Sequence, residues 1–343
     1  MPLPLVVVAN VAVGRRWAHL AIGILAGVPA GITFLVGALD LAGAGTTTTS
    51  AAGRSPIPVD IGLMVTAVIA AALASKPIRE RVSHVLPIDP DNPVHALALA
   101  LAVLLFGTQV TSILFMSLTA PANQTPLSVG DLIVQEAPFL ILAAAGVGIL
   151  VRRNMSQVAT RLGLVVPEWW QVVLAVAAAG AFFAFGVGMD QLGQAWTPDV
   201  ARQVHNTTQH LYGGLGGPLG IATLALAPGI CEEILFRGAL QPRIGLIATA
   251  LLFTSIHTQY GVSLDALSVL VIALGLGLIR KFTNTTTSSI AHITYNLVVG
   301  LAGVVDIASS QIELAVGIEV LLVGVAAYAI WSNRRRQTIA ANP

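Results

Sequence analysis

Charge is scarce in this chain. Asp, Glu, Lys and Arg make up 10% of its 343 residues, while 55% are hydrophobic and the mean hydropathy is +0.83. Soluble globular domains carry about a quarter charged residues, so that class is excluded and a polytopic membrane protein is implied. The formal net charge is +1, which leaves no basic field for nucleic acid. A single cysteine, Cys231, excludes an intramolecular disulfide. No HExxH occurs, so a zincin-type zinc site has no support. The first apolar run, in "MPLPLVVVANVAVGRRW", lacks a basic region before it and at about 11 residues is too short to span. It reads as an interfacial lead-in rather than a cleaved signal. No internal repeat and no soluble domain are found.

Long hydrophobic runs are abundant instead. A bilayer core takes about 20 mostly apolar residues per helix. Segments of that kind fall at 17–42, 58–75, 93–118, 131–151, 169–191, 215–238, 244–258, 263–279, 286–305 and 312–332. The expected fold is therefore all-α, a polytopic transmembrane helical bundle of about ten spans, with 58–75 and 244–258 short enough to be tilted, buried or re-entrant. Positive residues concentrate on cytoplasmic loops. With the N-terminus inside, all of the 17 Lys and Arg except Arg54, Arg202 and Arg237 lie on the inner side, and both termini are cytoplasmic. The loop 43–58 is a small-residue polar connector. A composition shift near 154–168 divides residues 1–160, a group of about five helices of open role, from 161–343, which hold the motifs between 228 and 296 and a last helix at 312–332.

Ionisable side chains inside a bilayer cost roughly 2.5–3.5 kcal/mol each on insertion scales and are functional candidates by default. Three clusters stand out: Glu232, Glu233 and Arg237 in "APGICEEILFRG", Phe253 and His257 in "FTSIH", and His292 and Asn296 in "HITYN". Glu233 and Arg237 are four apart, the spacing of an ion pair along one helix face. Glu232 then points about 100° away. Arg237 alone is equally well read as a snorkelling residue at a helix end, but that reading leaves the second carboxylate unexplained. His292 and Asn296 share one helix face. Each histidine alone reads as a packing residue bonded across a helix interface. Counted at about 1.5 Å per residue from the turns at Pro242 and Arg280, however, Glu232, His257 and His292 reach overlapping depths.

Pro228 is expected to disrupt the helix before the glutamates and open a wet cavity. A carboxylate near a neutral imidazole removes a proton from water, and a second imidazole with a carboxamide stabilises an oxyanion. Asp40, Glu136, Asp265 and Glu319 read as interfacial or helix-packing residues. His205 and His210, five apart, do not share a helix face and make a poor metal pair.

At these residues the sequence resembles the C-a-a-X protease and bacteriocin-processing family of intramembrane proteases, also called the Abi family. Its pattern is EExxxR with a following FRG, then FxxxH, then HxxxN. It is matched in order by "EEILFRG", "FTSIH" and "HITYN", within roughly residues 169–305. The resemblance implies a helical membrane protease of glutamate type, with its site opening toward the cytoplasm of a prokaryotic plasma membrane. It makes Glu232 and His257 the residues that activate water, His292 and Asn296 the oxyanion hole, and Glu233–Arg237 an ordering pair. No cofactor is implied, zinc being the alternative. The partners implied are the lipid bilayer and a peptide or protein substrate, with prenylated C-a-a-X tails and peptide bacteriocins both known in the family. The competing reading from another class is a transporter or immunity-type binding protein whose midplane charges hold a ligand or ion.

Overall fold

A computed structural model describes residues 2–43, 57–115, 125–303 and 309–341; for 309–315 and 333–341 only the helical backbone is described. The connector expected at 43–58, with Arg54, falls almost wholly outside them, as do the ends of the expected spans 93–118 and 286–305. Among the described residues the chain is helical, and the only β feature is an isolated bridge between Ile149 and Arg153.

The N-terminal half consists of α1 (Leu3–Ala12), α2 (Ala18–Leu41), α3 (Ile57–Ala72), α4 (Lys76–Ser83), α5 (Pro93–Phe115) and α6 (Val129–Gly146). α2, α3 and α5 pack together, and their outer faces carry exposed Ile24, Ile32, Leu35, Ile61 and Val68, side chains suited to lipid. α1 differs from the interfacial lead-in expected of it. Its Val6, Ala9 and Ala12 are buried against Leu25, Leu97 and Ala145. Asn10 donates to the carbonyl of Ala145 (2.9 Å), so the short apolar run is buried by neighbouring helices and its polar group is satisfied at a helix end.

A surface helix, α7 (Met155–Leu162), links the halves. Asn154 and Gln157 form a capping box at its start. Gly163 ends it at φ +73°, a left-handed conformation natural to glycine. The carbonyls of Leu162 and Gly163 then accept from the Thr285 hydroxyl and amide (2.5 and 3.0 Å). The segment expected as a boundary is thus tied to the start of a core helix.

The C-terminal half continues with α8 (Trp169–Trp196), α9 (Pro198–Tyr212) and α10 (Pro218–Glu233), then a π-helical stretch, Ile234–Leu240, leading into α11 (Gln241–Ile244). After these come α12 (Leu246–Ser255), α13 (Leu264–Phe282), α14 (Thr285–Ala302) and α15 (Ser309–Ala341). Asn284 caps α14 through the Thr287 amide (2.8 Å) and holds Gln171 of α8 (2.9 Å). α10 packs on α14 and, from the other side, on α6.

Each of the ten apolar segments forms helix, but their lengths differ. Among the described residues five stretches are long and apolar enough to cross a bilayer: Ala18–Leu41, Pro93–Phe115, Val129–Gly146, Trp169–Trp196 and Pro218–Ile244. The pair α3 and α4, bent by 87°, makes a sixth if counted as one span. α12 has 10 residues, a length of about 15 Å against a hydrocarbon thickness of about 30 Å, so it ends inside the protein. The chain is an integral membrane protein by this composition and helix length.

α10 and α14 meet at Gly229. A Cβ built there would lie 2.5 Å from the Ile293 side chain and 3.0 Å from its backbone nitrogen. Ile293 adjoins His292, so this contact sets the spacing between the helices that bear the glutamates and the HxxxN motif. Gly229→Ala is expected to push them apart and destabilise the protein by about 1–3 kcal/mol. The check is thermal unfolding in detergent, where unchanged melting would show that the contact does not fix the spacing.

Candidate active site

The centre of the site is the carboxylate of Glu233, at the last residue of α10 and 0% exposed. Arg237, 1% exposed, places Nη1 3.1 Å from Glu233 Oε1. His292 Nδ1 lies 3.1 Å from the same oxygen, and the Ser288 hydroxyl donates to Oε2. One buried charge is thus met by a guanidinium, an imidazole and a hydroxyl, the condition under which a buried ion is tolerated. Arg237 also donates from Nη2 to the Ala273 carbonyl of α13 (3.3 Å) and lies over the Phe253 ring, whose centroid is 4.2 Å from Cζ, a cation–π distance. This settles the choice left open by the sequence: Arg237 is an interior residue, and the snorkelling position does not apply.

Pro228 does not break α10, contrary to expectation; the departure from α-helix comes after the glutamates, in Ile234–Leu240. The effect of Pro228 is more local. Having no N–H, it gives nothing to the carbonyl of Leu224 four residues earlier. That carbonyl accepts from Asn296 Nδ2 instead (3.2 Å). His292 and Asn296 therefore both engage α10, one turn apart.

Phe253 connects the remaining groups. Its ring centroid is 4.8 Å from that of His257 and 6.0 Å from that of His292. His257 Nδ1 is 2.9 Å from the Phe253 carbonyl. A carbonyl only accepts, so Nδ1 bears the proton and a neutral His257 leaves Nε2 as an acceptor. The same logic applies to His292 over a carboxylate: it can donate from Nε2 only as an imidazolium, with Glu233 as counter-ion.

Glu232 faces away from this network. It is 5% exposed, and its Oε2 has no hydrogen-bond partner among the described residues. Glu233, Arg237 and His292 are in direct contact, and His257 joins them through Phe253. No hydrogen bond joins Glu232 to His257 among the described residues.

Three contributors escaped the sequence reading. Ser288 stands one turn before His292 on the same face of α14, a periodicity that could have revealed it. Gln241, one turn after Arg237, donates to the Gly277 carbonyl (2.8 Å) and helps fasten the π-helical stretch to α13. Glu136, taken as an interfacial or packing residue, sits mid-helix in α6, is buried with Oε2 unpartnered among the described residues, and lies within electrostatic reach of Glu232. Only the packing of α6 on α10 brings it there. Asp40 is also buried. Glu319 approaches α8 at Gly180, and Asp265 occupies the first turn of α13.

Zinc is the alternative cofactor. Among the described residues no three His, Cys, Asp or Glu side chains converge as a metal-holding group, and His292 Nδ1 is already engaged by Glu233. The donor set does not fit a zinc centre built from protein ligands.

Ser288→Ala would leave Glu233 Oε2 without its donor in a dry setting. A loss of about 1.5–3 kcal/mol is expected, as for hydrogen bonds to charged groups. Equilibrium unfolding in detergent measures it, and wild-type stability in the variant would contradict the geometry.

No curated protein and no solved structure matches the chain. A family model does match, that of the type II CAAX prenyl endopeptidases, Rce1-like, over residues 215–298. The match spans the three motifs and every helix that contributes to the Glu233 cluster. Over residues 215–298 this membrane protein is therefore similar to the Rce1-like type II CAAX prenyl endopeptidases.

Proposed function

We propose that the chain is an intramembrane endopeptidase of glutamate type, acting on a peptide or protein substrate. The observation that carries this reading is the contrast between adjacent glutamates. Glu233 is fully paired, and Glu232 keeps a buried oxygen unpartnered among the described residues. A carboxylate that the structure does not need as a counter-ion, in a setting that penalises it, is suited to taking a proton.

In this scheme Glu232 takes a proton from water as the oxygen attacks the scissile carbonyl carbon. His257, held by its Nδ1–H on the Phe253 carbonyl, offers the Nε2 lone pair to the same water. The negative charge developing on the carbonyl oxygen is met by the imidazolium of His292 and the remaining N–H of Asn296. Glu232 then passes its proton to the departing amine, and the C–N bond breaks to give one new carboxyl and one new amino terminus. Glu233 and Arg237 touch no reacting atom; they hold His292 in place and supply its counter-charge. Arg237 lies in a π-helical stretch, a winding that often marks functional sites.

Glu232→Gln preserves size and helix propensity and removes the basic oxygen. Turnover of a cleaved member of a membrane-peptide library is expected to fall by about 10² to 10⁴, with binding retained. Full activity in this variant would overturn its role. Elemental analysis beside a chelator titration tests the other half of the scheme: stoichiometric zinc with chelator-sensitive activity would replace it with a metal-generated nucleophile.

A further inference from the structure

On the far side of the π-helical stretch lies a cavity of about 670 Å³, within the range of small-molecule sites. The two faces of Ile234–Leu240 serve different spaces. Arg237 points to Glu233, while Leu235, Ala239 and Leu240 wall the cavity. None of Glu232, Glu233, Arg237, His257, His292 and Asn296 lines it. It is a separate chamber sharing one wall with the candidate active site.

Its lining is divided by chemistry. α5 contributes a mostly apolar run between the polar His95 and Thr108, about 20 Å at 1.5 Å per residue and comparable to the depth of one bilayer leaflet. Arg152, Arg153, Arg161 and Arg243 also line it; the first three lie between α6 and the end of α7, and Arg243 in α11. Among the described residues no carboxylate is within ion-pair distance of these four, although the chain has nearly as many acids as bases. The oxygens they do engage are neutral: Asn10 Oδ1 for Arg152 (2.7 and 3.0 Å), the Val147 carbonyl for Arg153, and the Gly238 carbonyl for Arg161 (3.5 Å). Burial and the like charges of Arg243, Arg153 and Arg280 push Arg161 down to about 10. Arg152 is exposed and the other three are half-buried, so water screens part of the cluster, and its protein-facing side offers an anion four guanidinium groups with no competing carboxylate.

We propose that this cavity binds one anionic phospholipid, its phosphate held by Arg152, Arg153, Arg161 and Arg243 and an acyl chain lying along α5. Guanidinium groups match phosphate oxygens in paired geometry, and basic pockets between membrane helices are a recurrent form of lipid headgroup site. A substrate is a poorer occupant, because a peptide seated here would keep its scissile bond on the wrong side of the π-helical wall. The lipid would press on Leu235 and Ala239, bracing the segment that presents Arg237.

The test is lipid retention by the full-length protein, which needs no proteolytic readout. Protein released from nanodiscs of equal phosphatidylglycerol and phosphatidylcholine is examined by native mass spectrometry. One phosphatidylglycerol per chain is expected, favoured about 10-fold over phosphatidylcholine. The double variant Arg161→Gln, Arg243→Gln should reduce that preference to about 2-fold or less. Ala98→Phe, which fills the channel and leaves the arginines in place, should lower occupancy by either lipid. Equal retention of the two lipids by the wild type would overturn the proposal without recourse to any variant. So would a preference that survives loss of both arginines, or displacement of the lipid by a membrane-anchored peptide with a free terminal carboxylate but not by its amide.

Discussion

A carboxylate with no exposure to solvent, deep in an apolar helix bundle, must find its counter-charge inside the protein. Glu233 finds it in Arg237, four residues on, and this pair is the constraint from which the site is built. An isolated ion there would cost several kcal/mol, whereas a pair with additional hydrogen bonds is sustainable. The additional bonds come from Ser288 and His292, both on α14, so satisfying the charge requires α14 to dock on α10. Arg237 in turn requires the Phe253 ring and the Ala273 carbonyl, which draws in α12 and α13. Four helices are thus recruited by the needs of two side chains.

The backbone accommodates that arrangement by local departures from regular helix. The π-helical winding follows the glutamates directly, and Gly229 allows α14 to approach closely just before them. Pro228 frees a carbonyl that orients Asn296. Each device acts within one turn of Glu232. The outcome is a cluster in which most polar atoms are engaged and Glu232 alone of the motif carboxylates is left over. The same π-helical stretch walls the neighbouring chamber through Leu235 and Ala239.

The local parts of this arrangement were legible in the sequence because they depend on spacing alone. The i to i+4 relation of Glu233 and Arg237, and of His292 and Asn296, follows from helix periodicity. The membrane class follows from scarcity of charge, and its helical form from apolar runs of about 20 residues. The parts that depend on packing were not legible. Glu136 has no sequence signal that brings it near Glu232, since only the docking of α6 on α10 does so. The burial of α1 depends on a groove made by α2, α5 and α6. The effect of Pro228 was misplaced because a missing N–H tells nothing about which side chain will take up the freed carbonyl. The length of α12 was hidden by apolar flanks that continue past its ends.

The account turns on the coupling between Glu233 and Arg237, and a double-mutant cycle of Glu233→Gln and Arg237→Met measures it through unfolding free energies in one detergent. Each single change strands a buried group and is expected to cost about 3–5 kcal/mol. The double variant removes both charges and should cost at least about 2 kcal/mol less than the sum of the singles. Additive losses would show that the two residues do not depend on each other, and would contradict the pair as the organising element of the site.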